Sequence, residues 1–263
     1  MSKDNIVIDQ MEKEIQISST NRIVSLVPSQ TELLYHLGLV EEVIGITKFC
    51  IKPDQWFRKK ERIGGTKNLN IDKIIGLNPD LILGNKEENN KEDIEKLIDL
   101  GFSVWMSDIY NMSDNLNMIK SVGNIFNRSE KADKIISKIE SNFKKLIPLK
   151  KKKSVLYFIW KSPFFVVGKN TFIDSQLKTC GFKNLAKENR YPEVSIEEIN
   201  QLNPDYLLFS SEPYPFSDEH LVELEKLFPQ SKCALVDGEM FSWPGSRQMF
   251  AADYFSDLIK SLD

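Results

Sequence analysis

The sequence predicts an α/β protein of two Rossmann-like lobes, each with a mainly parallel sheet, bridged by a single long helix. Three observations predict it. The first is a repeat. Residues 70–83 read NIDKIIGLNPDLIL and residues 195–208 read SIEEINQLNPDYLL. Ile71 matches Ile196, Asp72 matches Glu197, and Asn78-Pro79-Asp80 matches Asn203-Pro204-Asp205. So long a period lies outside the roughly 20–50 residues of solenoid units and marks two related halves. The second is the alternation of short apolar runs with helical stretches, which implies parallel strands joined by right-handed crossovers. The third is one amphipathic stretch, 129–147, with Ala132, Ile135, Ile136, Ile139, Phe143, Leu146 and Ile147 on a single stripe. At 1.5 Å per residue it reaches about 28 Å, and Pro148 is the first residue that interrupts it. The expected layout is an N-terminal lobe over 1–127, a bridging helix over 128–148 and a C-terminal lobe over 149–263. Two such lobes would leave a cleft for a ligand.

Each element has a local reason. Ile6 and Ile8 against Ile15 and Ile17 alternate as a hairpin. Arg22–Val27 is a buried strand that Pro28 stops. Ser29-Gln30-Thr31-Glu32 has the spacing of a capping box, so Ser29 is expected as the N-cap of a helix to Leu37, with Gly38 beyond it. Val43–Ile46 is a strand. Asn70 caps a helix to Leu77 that Pro79 blocks, and Leu81–Leu83 is a strand. Helices follow over Glu92–Leu100 and Ser113–Phe126, with a strand at Val104–Met106 between them. The second half begins at Val155–Ile159, then Phe164–Val167, then a helix Ile173–Cys180 stopped by Gly181. Ser195 to Glu198 is a second capping box. Tyr206–Phe209 is a strand, Asp218–Leu227 a helix and Ala234–Val236 a strand. A helix from Ser246 to Leu262 closes the chain.

Hydrophobic residues make up 41% and charged residues 28%, enough for packed cores, and the formal net charge is −3. That balance argues against nucleic acid, which needs a basic surface. Lys150–Lys153 reads as a solvated linker. No apolar run reaches the ~18–20 residues of a membrane span, so no membrane insertion is expected. The start, MSKDNIVIDQMEKEI, lacks the apolar stretch of a secretory leader. The protein is then cytoplasmic if Met1 is the true start, and periplasmic if a leader has been removed. Cys50, Cys180 and Cys233 are odd in number without metal-site spacing, and read as three small buried residues.

RIVSLVPSQTELLYHLG, then GGTKNLNIDKIIGLNPDLIL, then the long central helix resemble the substrate-binding proteins of ABC importers for cobalamin, haem and iron-siderophores. These are the helical-backbone metal receptors, and the likeness is closest to their cobalamin-binding members. It covers most of residues 22–260 and weakens beyond Phe209. The resemblance implies a monomeric, non-catalytic binder. It would hold a corrinoid, haem or ferric chelate between its lobes, with no cofactor of its own, and deliver it to an ABC permease dimer.

Under that resemblance Asp72 and Glu197 dock onto the permease. Read locally, both are first-turn carboxylates favoured by the helix dipole. The Asn-Pro-Asp triplets read as structural turns. Expected ligand residues are Ser29, at a helix N-terminus that can meet a ligand oxygen, and Trp160, Phe165, Tyr191 and Trp243, whose rings offer area to a planar macrocycle. Glu239 falls where the family has an acidic contact. Arg247 pairs with a ligand carboxylate or phosphate, or equally with a protein carboxylate. Phe49, Trp56, Phe164 and Phe241 complete the aromatics expected in loops. Two positions that carry tryptophan in the cobalamin-binding members are Thr66 and Asn85 here. Cys180 matches one partner of a family disulfide, whose other cysteine this chain lacks.

Other classes remain in view: a cytosolic tetrapyrrole or metal-chelate carrier, and a chelatase-like enzyme. The second needs a metal-ligating, proton-accepting cluster, and the two histidines, His36 and His220, are too few and too scattered for one. The same count argues against binding a bare transition metal. The sequence has no strand–GxxxxGK–helix and no GxSxG motif.

Overall fold

The computed structural model describes residues 5–262. The chain is mixed α/β with mainly parallel sheets, as expected, and divides into two compact units. One contains the stretches up to Ile109, Ser113–Lys138 and Pro244–Arg247; the other contains Tyr110–Met112, Ile139–Trp243 and the stretch from Gln248 onward.

In the first unit a hairpin, β1 (Asn5–Ile8) and β2 (Glu14–Ile17), is turned by Asp9, whose carboxylate accepts the N–H groups of Met11 and Lys13 at 2.8 and 2.9 Å. Then come β3 (Ile23–Ser25), α1 (Pro28–His36), β4 (Val43–Ile46), α2 (Asp54–Lys59), β5 (Glu61–Arg62), β6 (Gly64–Gly65) and β7 (Asn68–Leu69). They are followed by α3 (Ile71–Leu77), β8 (Leu81–Asn85), α4 (Lys91–Asp99), β9 (Val104–Ser107) and α5 (Met112–Ile125). The sheet runs β5-β4-β3-β8-β9, all parallel. Val24, Ile82 and Val104 pack against Ile74, Ile94 and Leu97 of α3 and α4.

Helix α6 (Ser129–Lys145) is divided between the units at Lys138 and Ile139. In the first unit Ala132 lies against Gly123, where a Cβ would stand 2.4 Å from the Ala132 methyl carbon. In the second, Asn142 Nδ2 donates to Met249 O at 2.8 Å and Phe143 meets Phe255 edge-on at 6.2 Å.

The second unit holds β10 (Lys153–Trp160), β11 (Phe164–Val166), α7 (Phe172–Thr179), β12 (Phe182–Asn184), β13 (Glu193–Val194) and α8 (Ile196–Leu202). It continues with β14 (Tyr206–Ser210), α9 (Asp218–Leu227), β15 (Lys232–Val236), α10 (Gly238–Ser242) and α11 (Gln248–Leu262). Strands β12 and β14 pair with β10 in parallel and β15 pairs in parallel with β14, while β11 runs antiparallel to both β10 and β13.

The repeat is the same physical device in both units. Asn70 caps α3, and Ser195 caps α8 in a full capping box with Glu198. Each helix ends on an asparagine in the left-handed region, Asn78 at φ 44° and Asn203 at φ 44°. Proline prevents continuation. The aspartate then ties down the start of the neighbouring parallel strand: Asp80 accepts the N–H groups of Asn21 and Arg22, both at 3.0 Å, and Asp205 accepts that of Ser154 at 2.7 Å. Strands β8 and β14 are buried throughout.

Several expectations need correction. Ser29 is not an N-cap: Val27 occupies that position in extended conformation and Pro28 opens α1. Proline has no N–H to satisfy and a φ already suited to the first turn. The expected partner in the box, Glu32, is instead held by Arg247 at 2.7 Å. Helix α6 ends at Lys145, not 147, and Ile147 is 73% exposed. Pro148 disfavours helical backbone at the residue before it. Trp56 and Phe241 lie in short helices, α2 and α10, with 2% and 0% of their surface exposed, so they are core residues rather than loop aromatics. Cys50 and Cys180 are buried as expected, but Cys233 is only partly so; all three are free thiols.

Candidate functional site

In open α/β sheets ligands gather beyond the carboxyl ends of the strands. The two units finish those ends with different chemistry.

In the first unit the ends of β3, β8 and β9 form a buried polar network. Gln30, in the first turn of α1, donates through Nε2 to Gly84 O at 2.9 Å and Ser107 Oγ at 2.7 Å. Asn85 Nδ2 donates to the same Ser107 Oγ at 2.9 Å. Asn89 Oδ1 accepts the Asn85 N–H at 2.8 Å, and Asn89 Nδ2 reaches Thr66 O at 3.1 Å. Thr31 and Thr47 flank Cys50 Sγ, each at 3.1 Å, and burial pushes that thiol up. Thr66 and Asn85 are buried within this polar framework. Phe49, just beyond β4, is exposed, with Lys48 Nζ 5.0 Å from its ring centre.

Ser29 and Arg247 both belong to this unit, and both are buried. The turn Gly245–Arg247 lies beside the first turn of α1: Gly245 N donates to Asn115 Oδ1, Ser246 Oγ sits 2.8 Å from His36 Nδ1, and Arg247 pairs with Glu32. Of the two partners open to Arg247 in the sequence, the structure supplies a protein carboxylate. Burial lowers the His36 pKa, the nearby Arg247 charge adding to it against a hydrogen bond that the Glu32 backbone carbonyl accepts, which raises it.

In the second unit the strand ends are aromatic and acidic. Trp160 closes β10 with 42% of its surface exposed, and Phe165 is its register partner on β11. Phe164, one residue away and on the opposite face, packs inward on Phe158 at 5.5 Å. Tyr191 leans on the core and lies 5.7 Å from the Arg190 guanidinium. Beyond β15, Asp237 caps α10 by accepting the Glu239 N–H at 3.0 Å, leaving Glu239 half-buried. Trp243 is 7% exposed and donates Nε1 to Glu212 Oε1 at 2.8 Å, beside Ser242 Oγ at 2.6 Å. Beneath this layer Tyr157 donates to Ser210 Oγ at 3.1 Å, and burial holds its phenol protonated.

The expected residues therefore separate. Trp160, Phe165, Tyr191 and Glu239 are accessible at least in part, while Ser29, Trp243 and Arg247 are built into packing. Asp72 and Glu197 are exposed in matching first turns of α3 and α8. Tyr214, in the loop after β14, joins the aromatic group edge-on to Trp160 at 5.6 Å. Its signal in the sequence is the segment EPYPF, shortly after the predicted strand Tyr206–Phe209. Among the described residues no three His, Cys, Asp or Glu side chains converge on a possible metal position. His36 bonds to Ser246, and His220 to Ser217 and Tyr214.

The sequence profile described as "Periplasmic binding protein" matches residues 23–227, and the chain belongs to that family. It is similar to an uncharacterized ABC transporter substrate-binding lipoprotein, YvrC, of Bacillus subtilis: 31% identical over 198 residues, 71% of this chain and 62% of that one. A vitamin B12-binding protein of Vibrio vulnificus is 25% identical over 205 residues, 74% of this chain and 73% of that one. Among solved structures, a possible iron-binding (periplasmic solute-binding) protein of Staphylococcus epidermidis superposes with TM-score 0.76 at 26% identity, over 92% of this chain and 98% of that one. No helix among the described residues is long and apolar enough to cross a membrane.

Proposed function

We propose that this chain is a substrate-binding protein that captures a corrinoid or iron chelate outside the cytoplasmic membrane and delivers it to an ABC permease, with no chemistry of its own. The observation that carries the reading is the exposed aromatic surface at the end of β10, Trp160 with Phe165 and Tyr214. Such a surface suits a broad, mostly apolar guest. The relatives named for vitamin B12 and iron supply the candidate ligands. Asp72 and Glu197, exposed on duplicated helices, are the proposed permease contacts.

Two experiments test this. Purified protein is titrated with cyanocobalamin, haemin and ferric siderophores; saturable binding of one supports the reading, and binding of none sinks it. Replacing Asp72 and Glu197 together by alanine should abolish uptake while leaving affinity unchanged. Unaltered uptake would remove the docking role.

A further inference from the structure

We infer that Tyr214 contacts the guest as a hydrogen-bond donor, set in that role by His220, and that the guest carries an oxygen acceptor beside a flat apolar face. The inference rests on the substrate-binding reading. It names a contact and a ligand feature that the reading leaves open.

Tyr214 is fixed at the end of β10, where its N–H donates to Ile159 O at 3.3 Å. Its ring lies 4.6 Å from Phe216 and meets the exposed Trp160 edge-on. The ring is half-buried. A flat guest resting on Trp160 therefore meets the edge of Tyr214.

The proton arrangement follows from donors whose direction is certain. The Ser217 N–H points at His220 Nδ1 at 3.1 Å. A backbone amide only donates, so Nδ1 of the neutral ring holds a lone pair and the ring proton is on Nε2. The Ser217 hydroxyl, 2.9 Å from the same nitrogen, fits as a second donor. Nε2 lies 3.2 Å from the Tyr214 hydroxyl and so donates to it. Among the described residues that is the hydroxyl's one hydrogen bond. With its oxygen accepting from His220, the phenol has its own proton left to give. A carbonyl, amide or carboxylate oxygen completes it; a donor group would face a donor. Next to this loop Lys161 is paired with Glu223 at 2.6 Å, so the contact does not demand a charged guest.

The test uses whichever of cyanocobalamin, haemin, ferrichrome or ferric citrate binds the wild-type protein. Tyr214→Phe keeps the ring and removes the proton, and should weaken binding about tenfold. His220→Ala should weaken it to a similar extent. The double variant should be no weaker than Tyr214→Phe alone, because both changes break one chain of hydrogen bonds. Thermal melts confirm folding, and if Tyr214→Phe does not fold, His220→Ala alone reads the interaction. Wild-type affinity in Tyr214→Phe, or losses that add in the double variant, overturns the inference. So does a ferric–phenolate absorption band with haemin that vanishes in Tyr214→Phe, which would make the tyrosine a metal ligand. If no probe binds the wild type, the substrate-binding reading fails first and this inference falls with it. That outcome is visible without any variant.

Discussion

The two halves of the molecule use one backbone device and finish it with opposite surfaces. Helices α3 and α8 have equal length, end on asparagines with the same dihedrals and feed fully buried five-residue strands. Beyond those strands, Asn85 enters a buried network with Asn89 and Ser107, while Ser210 accepts from Tyr157 under an aromatic and acidic layer. The helix–turn–strand unit is constrained by backbone hydrogen bonds and φ/ψ, which tolerate few residue types. Side chains past the strand end escape that constraint and are where ligand chemistry can diverge. The likeness of the halves thus reports on folding, and their difference on function.

The largest effect should come from the buried pair Glu32–Arg247, in which both side chains are 9% exposed. Removing one partner strands a charge, so Arg247→Ala should lower the unfolding free energy by about 3–5 kcal/mol. Glu32→Leu with Arg247→Met should recover most of that loss. Urea denaturation measures both. A fully stable Arg247→Ala that binds ligand poorly would instead return Arg247 to the guest.

Much of this was legible in the sequence, and what was missed has identifiable causes. Gly38, Gly101 and Gly181 end helices at positive φ, as their places after apolar stripes foretold. The hairpin, the Asn70 cap and the Ser195 box follow from local residue types. Helices α2 and α10 were not anticipated, being five or six residues long and too short for a periodicity to show. Strands β12 and β13 depend on distant partners, β10 and β11, rather than on their own pattern. The sequence places Trp160 in a loop, whereas it is the last residue of β10. Ser29 misled because its neighbour Pro28 outranked it as a helix starter. The indole N–H of Trp243 has a protein acceptor, Glu212, that spacing cannot reveal.

The strand-anchoring aspartates give the next effect. Asp80 holds two backbone N–H groups and Ser19, so Asp80→Ala should cost about 2 kcal/mol by chemical denaturation. Asp205 holds the N–H and hydroxyl of Ser154 on a more exposed surface, and after allowance for screening about 1 kcal/mol is expected. Hydrogen bonds from Ser154, and then the Lys153 charge, lower the Asp205 pKa. With the folded value below the unfolded one, the contribution is full above the usual Asp value of about 3.9 and disappears as pH falls through the lowered value. The gap between wild type and Asp205→Ala should close over that acid range. A gap that persists in acid would show that packing, not the carboxylate, does the anchoring.

Caps come next. Ser195→Ala breaks a reciprocal box and should cost about 1 kcal/mol. Asn70→Ala removes a single bond to Lys73 N and should cost somewhat less. The reverse order, read from denaturation midpoints, would mean that the two helices are not stabilised alike despite their common form.

The glycine variants of the two turn asparagines carry the smallest expected effect and, set beside the alanine variants, test the likeness of the halves most directly. Asn78 and Asn203 occupy the left-handed region, where a Cβ costs about 1–2 kcal/mol unless the residue is asparagine, aspartate or glycine. Asn78→Ala and Asn203→Ala should therefore each lose about 1 kcal/mol, while the glycine variants should change stability by less than about 0.5 kcal/mol. The two sites lie in separate units and share no partner, so the double alanine variant should lose the sum. Equal costs would establish that both halves depend on the same left-handed turn. Unequal costs would locate in one half a contact to the asparagine side chain that the shared backbone does not require.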